Sequence, residues 1–237
     1  MKIAMWSGPR NLSTAMMYSF GNRPDFHVVD EPFYAAYLAQ TGLEHPMRDD
    51  ILASQMTDPT DVIAELLDDV PNGKPHAYHK HMSQHMIETV PRDWIFDMQN
   101  VFLIRHPNRV LASFSAKYDN PKPDDLGFRQ QSELFHMLRD QGTTPLAIDS
   151  ADIRKNPRAK LEELCAALGL DFRDEMLHWP AGGHAQDGVW AAHWYGSVHK
   201  STGFSGPEDA LPDINPDMAW IAEELMPFYD DLKSYAL

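Results

Sequence analysis

Cysteine is almost absent from the 237 residues, with Cys165 standing alone. An intrachain disulfide is therefore excluded, and a reducing compartment is the simple expectation. Long apolar runs are missing as well. No stretch approaches the roughly 20 residues that a membrane-spanning helix needs, so no membrane span is expected. The opening MKIAMWSGPR carries an apolar run too short for a secretory leader and passes at once into a loop; a cytoplasmic protein is expected. Positive charge is scarce too. Lysine and arginine number 20 against 35 aspartates and glutamates, a formal net charge of −15. Such a field repels nucleic-acid backbones, which excludes DNA and RNA as expected partners. An anionic small ligand would need a local pocket built from the few cations, so each basic residue at a strand end is informative.

What is present fits one domain over residues 1–237, since 43% hydrophobic residues can fill a sizeable core. Strands are predicted at Lys2–Trp6, His27–Asp30, His76–His81, Val101–Ile104 and Pro145–Ile148, the first and fourth as apolar runs. Between them lie helical patterns. One runs from Ser13 to Phe20. Another starts at the Asp58-Pro59 cap, places Val62, Ile63, Leu66, Leu67 and Val70 on one face, and ends at Pro71-Asn72-Gly73. Others run from Pro107 with Val110, Leu111, Phe114 and Tyr118 inward, over Phe128–Asp140, over Arg158–Leu168 closed by Gly169, and over Pro216–Met226. Strands alternating with helices predict an α/β fold of three layers, a parallel sheet flanked by helices on both faces. No repeat or linker interrupts it. Residues 179–215, rich in Gly, Trp, His and Pro, predict a long lid or acceptor loop.

The segment Ser7-Gly8-Pro9-Arg10-Asn11-Leu12-Ser13-Thr14 joins the first strand to the first helix. Backbone N–H groups at a helix start carry partial positive charge and bind phosphate. Arg10 adds a full charge with a forked donor set, and Ser13 and Thr14 add hydroxyls that could instead cap the helix. The Walker pattern G-x-x-x-x-G-K-[ST] is absent, which weakens a small-molecule kinase reading. A second basic residue, Arg105, ends the fourth strand, at the edge where such sheets bind ligands. Ser113 follows eight residues later, about two helical turns on. Each feature also has a plain structural reading, as a capped turn and as a strand-edge arginine.

Arg105, Pro107 and Ser113 resemble the second motif of the sulfotransferase superfamily, which binds the 3′-phosphate of the sulfate donor. Arg10, Asn11, Leu12, Ser13 and Thr14 resemble its 5′-phosphosulfate loop, with Ser7-Gly8-Pro9-Arg10 in place of the usual lysine-serine-glycine order. Ile148–Ile153, Asn156-Pro157 and Leu164–Leu170 resemble its later strand, turn and helix. The three segments come in family order over residues 1–172. The resemblance implies a P-loop NTPase-like fold. It also implies sulfuryl transfer from 3′-phosphoadenosine 5′-phosphosulfate to a small-molecule or carbohydrate hydroxyl or amine, with no metal required. The family's C-terminal glycine-rich motif is absent, and His199-Lys200 with Ser201–Phe204 is the candidate replacement, a cationic lid over the nucleotide.

Such a reaction needs a base and a cation. Glu31, in Asp30-Glu31-Pro32-Phe33, ends the second strand beside aromatic residues. A glutamate downstream of the loop's basic residue resembles the carbohydrate-type members, and an apolar setting would raise its pKa. Lys80 and His81 end the third strand and resemble, with altered spacing, a lysine–histidine pair of cytosolic members. Neighbouring strand residues point to opposite faces, so Lys80 is the expected cation and His81 an alternative base. His76, His79, His81 and His85 lack a Cys or carboxylate pattern that would complete a zinc site. The competing reading is an adenine-nucleotide-binding protein without transferase activity. Trp190, His193, Trp194 and Tyr195 are candidates for acceptor or adenine contacts, or for packing the lid.

Overall fold

A computed structural model describes residues 1–237. Five strands, β1 (Lys2–Ser7), β2 (Phe26–Asp30), β3 (His76–Met82), β4 (Gln99–Ile104) and β5 (Leu146–Asp149), form one sheet in the order β2-β3-β1-β4-β5. All four pairings are parallel. Ten helices accompany it: α1 (Ser13–Gly21), α2 (Tyr34–Thr41), α3 (Arg48–Ser54), α4 (Pro59–Leu67), α5 (Pro107–Ser115), α6 (Phe128–Asp140), α7 (Ser150–Lys155), α8 (Pro157–Ala167), α9 (Ala191–Trp194) and α10 (Ala219–Lys233).

Alternation along the central strand builds two cores. Ile3 and Met5 face one side with Met16, Phe20, Tyr78, Val101, Leu103, Leu161 and Leu164. Ala4 and Trp6 face the other with Phe33, Trp94, Phe102, Phe135, Leu138 and Leu232. Because these parallel strands are covered on both faces, Ile3–Trp6 of β1 and Val101–Ile104 of β4 are apolar throughout rather than alternating. The register aligns Ser7 with Met82, Asp30 with Lys80 and Ile104 with Asp149. The carboxyl ends of all five strands therefore meet at one edge, with β1 at the centre of the crevice.

Local chemistry sets most boundaries. Asp58 caps α4 by accepting the Thr60 N–H at 2.8 Å, with Pro59 in the first turn. Asp149 caps α7 in the same way through Ala151 at 2.8 Å. Gly169 adopts φ 70° after α8, and the Leu170 N–H returns to the Cys165 carbonyl at 2.8 Å, closing the helix in the left-handed way that favours glycine. Three boundaries depart from expectation. Helix α4 stops at Leu67, leaving Val70 outside it, and Tyr118 lies beyond the end of α5. Helix α10 begins at Ala219 and runs through Pro227 to Lys233. Pro227 and Glu223, the residue whose carbonyl the proline cannot bond, are both exposed, so water can replace the lost hydrogen bond.

Candidate active site

The β1–α1 connection is held open by three contacts. A Cβ on Gly8 would lie 2.3 Å from the Leu126 carbonyl oxygen, so only glycine passes there. Asn11 accepts the Leu12 N–H at 2.7 Å and donates to the Leu103 carbonyl at 2.9 Å, tying the loop to β4. Arg10 takes a left-handed φ of 55°, a conformation that costs a non-glycine residue about 1–2 kcal/mol. Helix α1 has no side-chain cap and no acidic residue in its first turn. Its N–H groups are left for a ligand, and Ser13 and Thr14 line the same cleft rather than capping the helix.

The second half-site lies against the first. Arg105 at the end of β4 donates to the Arg10 carbonyl at 2.6 Å, and Arg10 Nε donates to Ser113 Oγ at 2.9 Å. Burial, and then the neighbouring Arg105, lowers the Arg10 pKa. Arg10 pairs with no carboxylate, and its two terminal nitrogens have no protein partner. Arg105 instead turns Nε and Nη2 to Glu208 Oε1, at 3.2 and 2.6 Å.

The same cleft is also lined by a buried ionic cluster. Asp30 and Lys80 are register partners on one face of the sheet. Lys80 Nζ donates to Asp30 Oδ1 at 2.8 Å, to Glu31 Oε1 at 2.6 Å, and to the Tyr195 hydroxyl. Tyr195 in turn donates to the carboxylates, reaching Glu31 Oε1 at 3.1 Å, and accepts from Trp190 Nε1 at 2.9 Å. The lysine side chain is 1% exposed and that of Glu31 10%. Burial raises the Glu31 pKa, reinforced by Asp30 and opposed by Lys80. Burial pulls Lys80 down, but Asp30 and Glu31 outweigh it and hold it protonated. Glu31 has φ 42°, an outlier of the kind found at functional sites. Its carbonyl is pinned by Gln55 Nε2 at 3.1 Å.

These groups open on one cavity of about 300 Å³. It brings together Arg10, Asn11, Leu12, Ser13, Thr14, Arg105, Ser113, Glu31 and Lys80. It does not include His81, His199 or Lys200. His81 lies on the opposite face, stacked on Trp6 at 4.4 Å with both ring nitrogens unpartnered, because one residue along a strand reverses the side-chain direction. His199 turns to Asp187 Oδ2 at 3.1 Å, and Lys200 is exposed. From that segment Ser197, Val198, Ser201 and Gly203–Ser205 line the cleft instead. His76 packs on Phe26 and His85 lies stacked between Tyr34 and Tyr37. No three His, Cys, Asp or Glu side chains converge in a metal-binding arrangement.

Sequence reasoning missed the aromatic wall of the cavity, formed by Tyr34, Tyr37, His45 and Tyr118 with Asp125. It also missed the role of Glu208. No local pattern marks either; both depend on contacts made across the whole fold. Tyr195 stood within a recognised aromatic cluster, but its pairing with Glu31 lies 164 residues away.

A family model described as a sulfotransferase domain matches residues 1–236. Branched-chain-amino-acid aminotransferase-like protein 2 of Arabidopsis thaliana is 36% identical over 234 residues. That match takes in 98% of this chain but 41% of the relative, so the chain spans about two fifths of the length of that curated relative. Among solved structures, the sulfotransferase domain of the Synechococcus PCC 7002 olefin synthase superposes with a TM-score of 0.58 at 16% identity, covering 95% of this chain and 94% of that one. Mouse sulfotransferase SULT7A1 complexed with PAP gives 0.57 at 16%, covering 99% and 89%. The fold is shared at these identities, a parallel sheet of the P-loop NTPase-like type. No helix is long and apolar enough to cross a membrane.

Proposed function

The chain belongs to the sulfotransferase domain family, and from that premise we propose that it moves the sulfuryl group of 3′-phosphoadenosine 5′-phosphosulfate onto an acceptor hydroxyl or amine. The observation that carries this reading is the pair of cationic positions at one sheet edge, facing a buried carboxylate across a single cavity. The uncapped start of α1 with unpaired Arg10 suits the 5′-phosphosulfate, and Arg105 with Ser113 suits a 3′-phosphate. On this reading residues 1–237 act as one unit, with 179–215 closing the cleft.

In the proposed reaction the acceptor oxygen or nitrogen forms a bond to sulfur while its proton passes to Glu31. The bond between sulfur and the 5′-phosphate oxygen breaks, and the electron pair leaves with 3′-phosphoadenosine 5′-phosphate. Arg10 and the α1 N–H groups stabilise the charge gathering on that oxygen. Lys80 takes a different part from the one its position suggested. Its three N–H bonds are already committed to Asp30, Glu31 and Tyr195, so it is a positioning residue that fixes Glu31. The acceptor end holds Glu31 and Asp125 beside aromatic rings and no unpaired cation, which favours neutral or cationic acceptors over anionic ones.

Transfer of labelled sulfate from the donor tests the reading. The unaltered protein is expected to release 3′-phosphoadenosine 5′-phosphate and to label an acceptor. Arg105→Ala is expected to weaken binding of that nucleotide by about 1.5–3 kcal/mol, the range for a hydrogen bond to a charged group, or about 10- to 150-fold. An unchanged affinity would show that the 3′-phosphate does not bind at Arg105.

A further inference from the structure

Three arginines at the carboxyl edge converge on one carboxylate. Besides Arg105, Arg154 Nη1 reaches Glu208 Oε1 at 3.0 Å and Arg109 Nε reaches Oε2 at 2.7 Å. The Glu208 side chain is 4% exposed. It belongs to a segment, 204–215, that contains neither helix nor strand. Every hydrogen bond made by residues 205–214 goes to these same three arginines. Arg154 Nε donates to the Gly206 carbonyl at 2.9 Å, Arg109 donates to the Asp209 carbonyl, and the remainder are those of Glu208.

The edge of Arg105 formed by Nε and Nη2, the edge that would grip a phosphate, is thus occupied by a side chain from the protein itself. A carboxylate carries one negative charge; a phosphomonoester carries between −1.5 and −2 at neutral pH and three acceptor oxygens. With Arg10 also beside Arg105, the more highly charged group has the advantage on this cluster. We propose that Glu208 is the internal occupant of the 3′-phosphate position, and that a 3′-phosphorylated nucleotide displaces it and releases the 205–213 strap. Glu208 then sets the affinity for the 3′-phosphate and couples donor entry to movement of the strap. This rests on the donor reading above.

The test compares 3′-phosphoadenosine 5′-phosphate with 5′-AMP, which differs only in lacking the 3′-phosphate. Glu208→Gln and Glu208→Ala are each expected to bind the bisphosphate about tenfold more tightly, the scale of one charge-assisted hydrogen bond, and to bind 5′-AMP unchanged. In the unaltered protein the bisphosphate, but not 5′-AMP, is expected to speed cleavage after Glu208 by a glutamate-specific protease, because that side chain is 4% exposed while the arginines hold it; this readout is independent of how the variants fold. Bisphosphate binding to the unaltered protein without a gain in either variant, or without faster cleavage after Glu208, overturns the displacement and leaves the donor reading standing. Weaker binding in both variants does the same, and makes Glu208 a group that holds the arginines in place. Failure of the bisphosphate to bind the unaltered protein and both variants overturns the donor reading and the displacement together.

Discussion

Glu31→Gln is expected to bind 3′-phosphoadenosine 5′-phosphate as tightly as the unaltered protein and to transfer sulfate about 100- to 10,000-fold more slowly, the span assigned to a general base. The substitution keeps the shape and the carbonyl that accepts from Lys80, but removes the group that takes the acceptor proton. It also leaves Lys80 paired with Asp30 alone, a balanced pair, so the fold should survive. Nucleotide affinity should survive too, because the Glu31 carboxylate bonds to Lys80 and Tyr195 and not to Arg10, Ser13, Thr14 or Arg105. The pH profile adds a sign. Burial raises the Glu31 pKa, and a base works in its deprotonated form. The kcat/KM of the unaltered protein should therefore rise as pH climbs through that raised value, and the variant should lack this limb. Steady-state kinetics against pH, with calorimetry for the nucleotide, check both parts. Retained turnover in Glu31→Gln would remove Glu31 from the chemistry.

Lys80→Met is expected to lose about 3–5 kcal/mol of folding stability at pH 8, the cost of removing one partner from a buried ion pair. Lys80 and Asp30 are each 1% exposed and Glu31 10%, and without the lysine two largely buried carboxylates face each other uncompensated. The pH dependence follows from the direction of the Glu31 shift. Its folded-state pKa is raised above the ordinary carboxylate value by burial and by Asp30, and losing Lys80 removes the positive charge that opposes the rise. A group with a raised folded value binds protons better folded than unfolded. Its contribution to stability is present at low pH and lost as pH rises through the folded value. The deficit of Lys80→Met relative to the unaltered protein should thus shrink toward pH 5. Urea unfolding of both proteins at pH 5 and pH 8 measures it. An equal deficit at both pH values would mean that the loss is one of packing rather than of charge.

Much of this fold is legible in the sequence because its signals are local. Strands β1 and β4 announce themselves as apolar runs, and Asp58-Pro59, Pro107 and Gly169 mark helix ends through chemistry that acts within a few residues. The alternation rule alone separates Lys80 from His81, and the structure places them on opposite faces. Helix α2 escapes because Tyr34, Ala35, Ala36, Tyr37 and Leu38 are all buried; a helix enclosed on every side has no amphipathic period to detect. The continuation of α10 past Pro227 escapes because a proline ordinarily reads as a stop.

The site divides along the same line. Arg10 and Arg105 stand at strand ends, and sheet topology brings any residue so placed to the ligand edge. Tyr195 and Glu208 come from the irregular segment after residue 179, and only the folded chain shows where they go. Glu208 is 103 residues from Arg105, and nothing in its neighbourhood distinguishes it from the other acidic residues of a chain with a net charge of −15. The segment 199–204 supplies Ser201, Gly203 and Phe204 to the cleft, while His199 is drawn off to Asp187.

The central claim is that this sheet edge binds a nucleotide phosphorylated at both its 3′ and 5′ ends. Calorimetric titration of the unaltered protein with 3′-phosphoadenosine 5′-phosphate, set against ATP, tests it most directly. The account predicts binding of the bisphosphate at least about tenfold tighter than ATP, a difference of about 1.4 kcal/mol. Tighter binding of ATP, or no binding of the bisphosphate, would contradict it.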